Sequence, residues 1–369
     1  MQSVLYHKAE SKIEQRYEKG ECNVIPLNSC LTMPQKHEKQ RQSEQEQLQT
    51  ALKTFQQALT RAQANNNYIA QVESLKLIGL IHCKLGQYAW GIKCLEQGLR
   101  YAQGIKKQAN IGIILNYLGA AYYQTGQDRK ALWIYSQALT IFSAENDVIN
   151  VARLLNRIGQ ICNSLKQPER ALMCCRQALK IYQGLKNHLD GESIALQSIG
   201  EAHLQLGRPR AAIAFFEQAL VINRKIGNRN SEATTLEDIG TAYIKLSPPL
   251  RALQSYQQAL EIHRQIDDKM GEARNLNFIG AVYYQLGRPS RALCYHLQAL
   301  RVLKTINQTT GSERLLHHLI AVYESLGLHE LGMKCYEQAL EIVKTFGTNP
   351  CEEAIAQYCR DEEECEFDD

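Results

Sequence analysis

The stretch NLNFIGAVYYQLGRPSRALCYHLQAL, residues 275–300, returns in altered form every 40 residues. Self-similarity at a fixed period of this length bounds the fold more tightly than any other feature, because each copy must make one supersecondary unit. Anchored on Gly280, the matching positions are Gly79, Gly119, Gly159, Gly200, Gly240 and, in the last copy, Ile320. Every step is 40 residues except that from Gly159 to Gly200, which is 41; the extra residue falls between Leu179 and Gly200, in a connection between units. Twelve residues after the anchor stand Gly91, Ala131, Ala171, Ala212, Ala252, Ala292 and Gly332. Nineteen after it stand Gly98, Ala138, Ala178, Ala219, Ala259, Ala299 and Ala339, each followed by leucine.

One unit reads as two helices. Leu276, Ile279, Tyr283 and Leu286 recur at spacings of 3, 4 and 3, which is one face of a helix. Gly287 suits a left-handed helix cap and Pro289 the first turn of a following helix, and Gly207 with Pro209 repeats the punctuation. A glycine inside a helix costs roughly 1 kcal/mol against alanine. At Gly280 that cost is offset if the missing side chain lets the second helix, with Ala292 and Ala299 on one face, come close. The unit returns because a helical hairpin buries its apolar face only by stacking on the next.

These residues resemble the tetratricopeptide repeat, whose pattern is visible as Ile279-Gly280, Tyr283, Gly287, Ala292 and Ala299-Leu300. Tyr256 holds the family's aromatic place in the preceding copy, and His296 stands there in this one. The usual unit is shorter, and its closing proline is missing here. The 40-residue form is similar to the variant in kinesin light chains, Pins-type polarity adaptors and bacterial regulators. The resemblance implies an all-α fold, a right-handed superhelical α-solenoid of stacked helix-turn-helix hairpins. Seven units are expected over residues 70–346. Residues 41–66, with Ala51, Leu52, Phe55, Ala58 and Leu59 in second-helix register, read as a degenerate or capping half repeat. Residues 1–40 are expected to be mobile, with Pro34 in irregular chain, and residues 349–369 to form a capping helix and an acidic tail.

Composition sets the partner classes. The net charge of +4 divides into −8 for residues 351–369 and +12 for the rest, a basic body with an acidic end. The bases are dispersed, so nucleic acid is a poor fit. The start has no apolar run long enough for a signal peptide, and no run reaches a membrane span; the expected location is the cytoplasm. Most of the twelve cysteines lie inside helical patterns, with no C-x-x-C and no zinc spacing, and read as small buried hydrophobes. His82 and His203 occupy the tyrosine register and read as packed side chains rather than ligands. There is no phosphate loop, dinucleotide fingerprint or H-E-x-x-H motif, so no catalytic residues, metal or cofactor are assigned.

Family register points to the first helices as the lining of a concave groove. Three residues before each anchor stand Lys76, Asn116, Asn156, Gln197, Glu237, Asn277 and His317. A carboxamide both donates and accepts, so such a column can pair with the backbone of an extended peptide, as the resemblance implies for Pins-type adaptors. Arg153, Arg274 and Arg314, three residues earlier, suit carboxylates, and Tyr123 and Tyr284 offer flat contact area. The bland reading of these groove residues is a solvated helix face. The expected function is a non-enzymatic scaffold or adaptor that binds a peptide or protein segment in this groove, with a homo-oligomer left open. One alternative is a peptide-sensing regulator of an effector. Another is a redox or metal-binding protein using Cys351, Cys359 and Cys365. The acidic tail is read either as a solubilising end or as an internal competitor for the groove.

Overall fold

In a computed structural model of the chain, the described residues are 34–185, 187–247, 249–306, 312–329 and 332–333. They form fourteen α-helices and, among the described residues, no strand. A long helix, α1 (Pro34–Ala64), comes first. Paired helices follow: α2 (Tyr68–Lys84) with α3 (Tyr88–Gly104), α4 (Gln108–Gln124) with α5 (Asp128–Ala144), α6 (Val148–Ser164) with α7 (Pro168–Gly184), and α8 (Leu189–Gln205) with α9 (Pro209–Ile226). Then come α10 (Arg229–Leu246) and α11 (Pro249–Gln265), the pair α12 (Lys269–Gln285) and α13 (Pro289–Thr305), and α14 (Ser312–Ser325). The chain divides into two compact units, one holding α1 to α10 and the other α11 to α14. Within each unit a helix packs on the helix before it and the helix after it.

Helix α1 starts at Pro34, seven residues before the boundary that the periodicity gave and inside the stretch expected to be irregular. The proline stands where its missing N–H is no loss, and the polar run behind it continues the helix without an apolar period. The expected tail helix, and the second helix expected after residue 333, lie outside the described residues.

Two devices start eight of the helices. Asn67, Asp147, Asn228 and Asp268 cap α2, α6, α10 and α12, their side-chain oxygens accepting the N–H three residues on at 3.0–3.1 Å. The second helices α7, α9, α11 and α13 begin instead on Pro168, Pro209, Pro249 and Pro289. Gly287, at φ +67°, closes α12: its N–H donates to Tyr284 O at 2.9 Å and that of Arg288 to Tyr283 O at 3.0 Å, the two bonds of a Schellman cap.

The anchor glycine makes room for one side chain of its own hairpin. A Cβ at Gly79 would meet Leu95 at 2.6 Å, at Gly119 Tyr135 at 2.7 Å, at Gly159 Cys175 at 2.1 Å, at Gly200 Phe216 at 2.5 Å, and at Gly280 His296 at 2.7 Å. In all five the intruding residue is sixteen positions on, in the second helix. So the close approach expected at Gly280 is real, and its agent is the imidazole of His296. Ala131, Ala138, Ala171, Ala178, Ala212, Ala219, Ala292 and Ala299 have no exposed surface. In the first unit one core runs from Val72 in α2, through Ile114, Tyr135, Leu154 and Cys175, to Ile199 and Ala202 in α8. No helix among the described residues is long and apolar enough to cross a membrane.

Candidate functional site: the open face of the first helices

Each first helix buries one side on its own second helix and on its neighbours. What stays open is a narrow stripe. In α4 it is Ile113, Asn116, Ala120 and Tyr123; in α12 it is Arg274, Asn277, Ala281 and Tyr284. The spacing of 3, 4 and 3 is one helix face, offset from the buried Leu115 and Leu118 of α4 and Leu276 and Ile279 of α12. The same register is open or half-open in α2 as Glu73, Lys76, Leu80 and Cys83, and in α8 as Ile194, Gln197, Glu201 and Leu204. Stacking repeats the stripe, so a wall of first-helix side chains forms in each unit.

The carboxamides do more than line this wall. Asn156 is 4% exposed, and its Nδ2 donates to the carbonyl of Gly191 in α8 at 2.9 Å. One turn pair along α6, the fully buried Asn163 donates to Ser198 O at 2.9 Å and to Glu201 Oε2 at 3.2 Å. Gln197 donates to Thr235 Oγ1 of α10 at 2.5 Å, and that hydroxyl also accepts from the buried Asn223 at 3.1 Å. Asn277 Oδ1 meets His318 Nδ1 of α14 at 2.8 Å. These side chains tie consecutive first helices together. Asn116 differs: it is half-buried, and among the described residues its carboxamide makes no hydrogen bond. Glu237 is buried, 7% exposed, and is not part of the open stripe. Lys76 pairs with Glu73 on its own helix.

Of the cations, Arg153 and Arg274 are exposed; the side chain of Arg314 lies outside the described residues. Tyr284 is 40% exposed, while Tyr123 is half-buried against the core. Residue spacing missed Arg157, which is exposed one turn after Arg153. Its guanidinium sits 5.9 Å from the Tyr135 ring centroid and donates to Tyr135 Oη at 3.3 Å. The i, i+4 relation to Arg153 was the available signal.

Chemistry elsewhere is subdued. Burial pushes the Cys175 thiol up to about 12 and raises Cys83, Cys94, Cys162 and Cys174 as well, so these remain protonated near neutrality. His203 stacks on Phe215 with centroids 5.3 Å apart, and burial lowers its pKa. Among the described residues no group of three or more His, Cys, Asp or Glu is placed to hold a metal ion. Cys351, Cys359 and Cys365 lie outside the described residues, as do the acidic tail and its two readings.

The sequence matches the tetratricopeptide repeat over residues 68–144, 150–225 and 231–305, and a second description of the same repeat over residues 321–343. No curated protein matches the chain by sequence. Among solved structures, the apo form of the quorum sensor NprR from B. thuringiensis is 15% identical. It covers 92% of this chain and 96% of its own, with a TM-score of 0.67. A Rap protein complexed with Competence and Sporulation Factor is 17% identical, covers 78% of this chain and 79% of its own, and has a TM-score of 0.56. A signal-transduction ATPase with a tetratricopeptide repeat sensor from Pyrococcus horikoshii is 15% identical; the match covers 83% of this chain and 45% of the other, with a TM-score of 0.61. At these identities the likeness is one of fold.

Proposed function

The chain belongs to the tetratricopeptide repeat family, and on that premise we propose that it is a non-enzymatic interaction scaffold that binds a peptide or protein segment along the open stripe of its first helices. One observation carries the reading: helices α2, α4 and α8 of one unit, and α12 of the other, leave the same register open or half-open. A row of half-open aliphatic, aromatic, carboxamide and guanidinium groups suits an extended chain, which offers backbone bonds and alternating side chains. Asn116 is the carboxamide whose hydrogen bonds are unspent, with its Oδ1 buried and its Nδ2 left to donate to a ligand; Asn156 and Gln197 serve first as ties between repeats.

A second reading is a sensor whose groove ligand controls an effector. It draws support from the fold shared with a quorum sensor and with a Rap protein complexed with Competence and Sporulation Factor.

Affinity capture from native lysate with mass spectrometry tests the proposal. The intact protein is compared with Asn116→Ala/Tyr284→Ala, which changes the stripe of each unit at one residue without cutting a tie. A partner held by the first and reduced at least about tenfold on the second, roughly 1.4 kcal/mol of binding, supports groove binding. Partners retained equally by both, with thermal midpoints unchanged, place binding on another surface.

A further inference from the structure

We propose that the chain carries a second site, independent of the groove, for a small monocarboxylate with a hydrocarbon tail. A cavity of about 430 Å³ opens between the second helix α7 and the turn that joins α8 to α9. Its size falls within the range of small-molecule sites. Leu172, Met173 and Leu206 supply apolar lining, and Glu169, Arg176 and Arg208 supply charge. The open-stripe residues of α8, Ile194, Gln197, Glu201 and Leu204, do not line it.

Two observations point to an anion. Arg176 and Arg208 are both exposed, and neither side chain forms an ion pair or a hydrogen bond among the described residues. By contrast, Arg224 and Arg264 are spent on Glu232 and Glu272. Beside them His203 of α8 is 6% exposed, and its Nδ1 has no hydrogen-bond partner among the described residues. Burial first, then the charges of Arg176 and Arg208, hold its pKa down. A carboxylate set between the guanidiniums relieves this crowding of positive charge and accepts charge-assisted hydrogen bonds. Glu169 sets the limit on the ligand's charge. Two guanidiniums and one carboxylate leave the lining with a net charge of +1, which matches a monoanion and opposes a second acid. The tail has its own place: Met173 is 65% exposed beside Leu172, and a hydrocarbon laid across them removes apolar surface from water.

Isothermal titration of the full chain with octanoate tests this, with butanoate and octanedioate as comparisons. Octanoate should bind saturably at one site per chain, at least about tenfold more tightly than butanoate and about threefold more tightly than octanedioate. Arg176→Gln/Arg208→Gln should weaken octanoate at least about tenfold. Met173→Asp, at an exposed position, should weaken it by a similar factor. Glu169→Gln should close the gap between octanoate and octanedioate. No saturable binding of octanoate by the folded native protein overturns the site, and so does binding that changes less than about threefold on the arginine and methionine variants. Equal affinity of the native protein for octanoate and octanedioate overturns the preference for a single charge. Circular dichroism of each variant distinguishes lost contact from lost fold. All of these outcomes leave the groove reading standing.

Discussion

His296 is the residue at which the repeat's geometry meets acid–base chemistry. It has no exposed surface, and its ring fills the space left by Gly280. Its neighbour on the far side is the His318 ring, 5.2 Å away between centroids. Neither ring nitrogen has a hydrogen-bond partner among the described residues. Burial first, and His318 second, push its pKa down to about 3. An unfolded histidine titrates near 6.5, so between about pH 3 and 6.5 the unfolded chain binds more protons. The folded state's advantage is whole above pH 6.5 and is lost as the pH falls below it, by roughly 2 kcal/mol at pH 5. Phe216 and Tyr135 occupy the same register against Gly200 and Gly119, so phenylalanine fits the place. In thermal unfolding at pH 7.5 and pH 5, His296→Phe should lose distinctly less stability on acidification than the native chain. An equal loss in both would assign the acid sensitivity to other groups. Gly280→Ala should be destabilised by about 1–3 kcal/mol at either pH, since its Cβ and the imidazole need the same space.

Between elements, the joints are carried by polar side chains that reach from one helix to the start of the next. Glu232, in the first turn of α10, is 4% exposed; it accepts from Arg224 Nε at 2.9 Å, at the end of α9, and from Arg229 at 2.5 Å. Forty residues on, Glu272 repeats the arrangement with Arg264 at 2.9 Å and Lys269 at 3.0 Å. The carboxylate also lies at a helix N-terminus, where the backbone dipole favours it. Glu232→Ala should therefore cost about 1–3 kcal/mol in urea unfolding, whereas Arg229→Ala, on an exposed side chain, should cost no more than about 1 kcal/mol. Equal effects would mean that the acid acts only as a surface charge. Such joints explain what could be read from the chain alone. Helix starts at Pro209 and Pro289, the cap at Gly287 and the space at Gly280 follow from local rules, and the structure has them. The start of α1 at Pro34 does not, because its polar run has no apolar period. Nor does the division of labour in the carboxamide column. Asn116 and Asn156 share one register and similar neighbours, yet one is unspent and the other is buried on Gly191. That difference depends on how closely the next first helix approaches, which is a tertiary quantity that local sequence does not encode.

For the whole molecule, the decisive property is that stability is built from neighbours. Each helix touches chiefly the one before and the one after, so the energetics are close to a sum of unit and interface contributions. A defect should then spread by proximity in the stack. Gly159→Val supplies one, because even a Cβ at that position would overlap Cys175 Sγ, whose side chain is fully buried in the second helix. Overpacking of this kind costs about 1–3 kcal/mol. Amide hydrogen exchange under native conditions should quicken about tenfold or more in α6 and α7, for each 1.4 kcal/mol lost, and by less in α5 and α8. Helices α2 and α3, and the separate unit α11 to α14, should exchange as in the native protein. A uniform increase across all fourteen helices would show instead that the chain opens as one cooperative body, and the nearest-neighbour account would fail. The expected gradient also bears on binding. Ile113, Tyr117 and Tyr123 of α4 are packed at their base on the core of the first unit, so a segment docked there meets side chains that are already partly held in place, and less of its affinity is lost to ordering them.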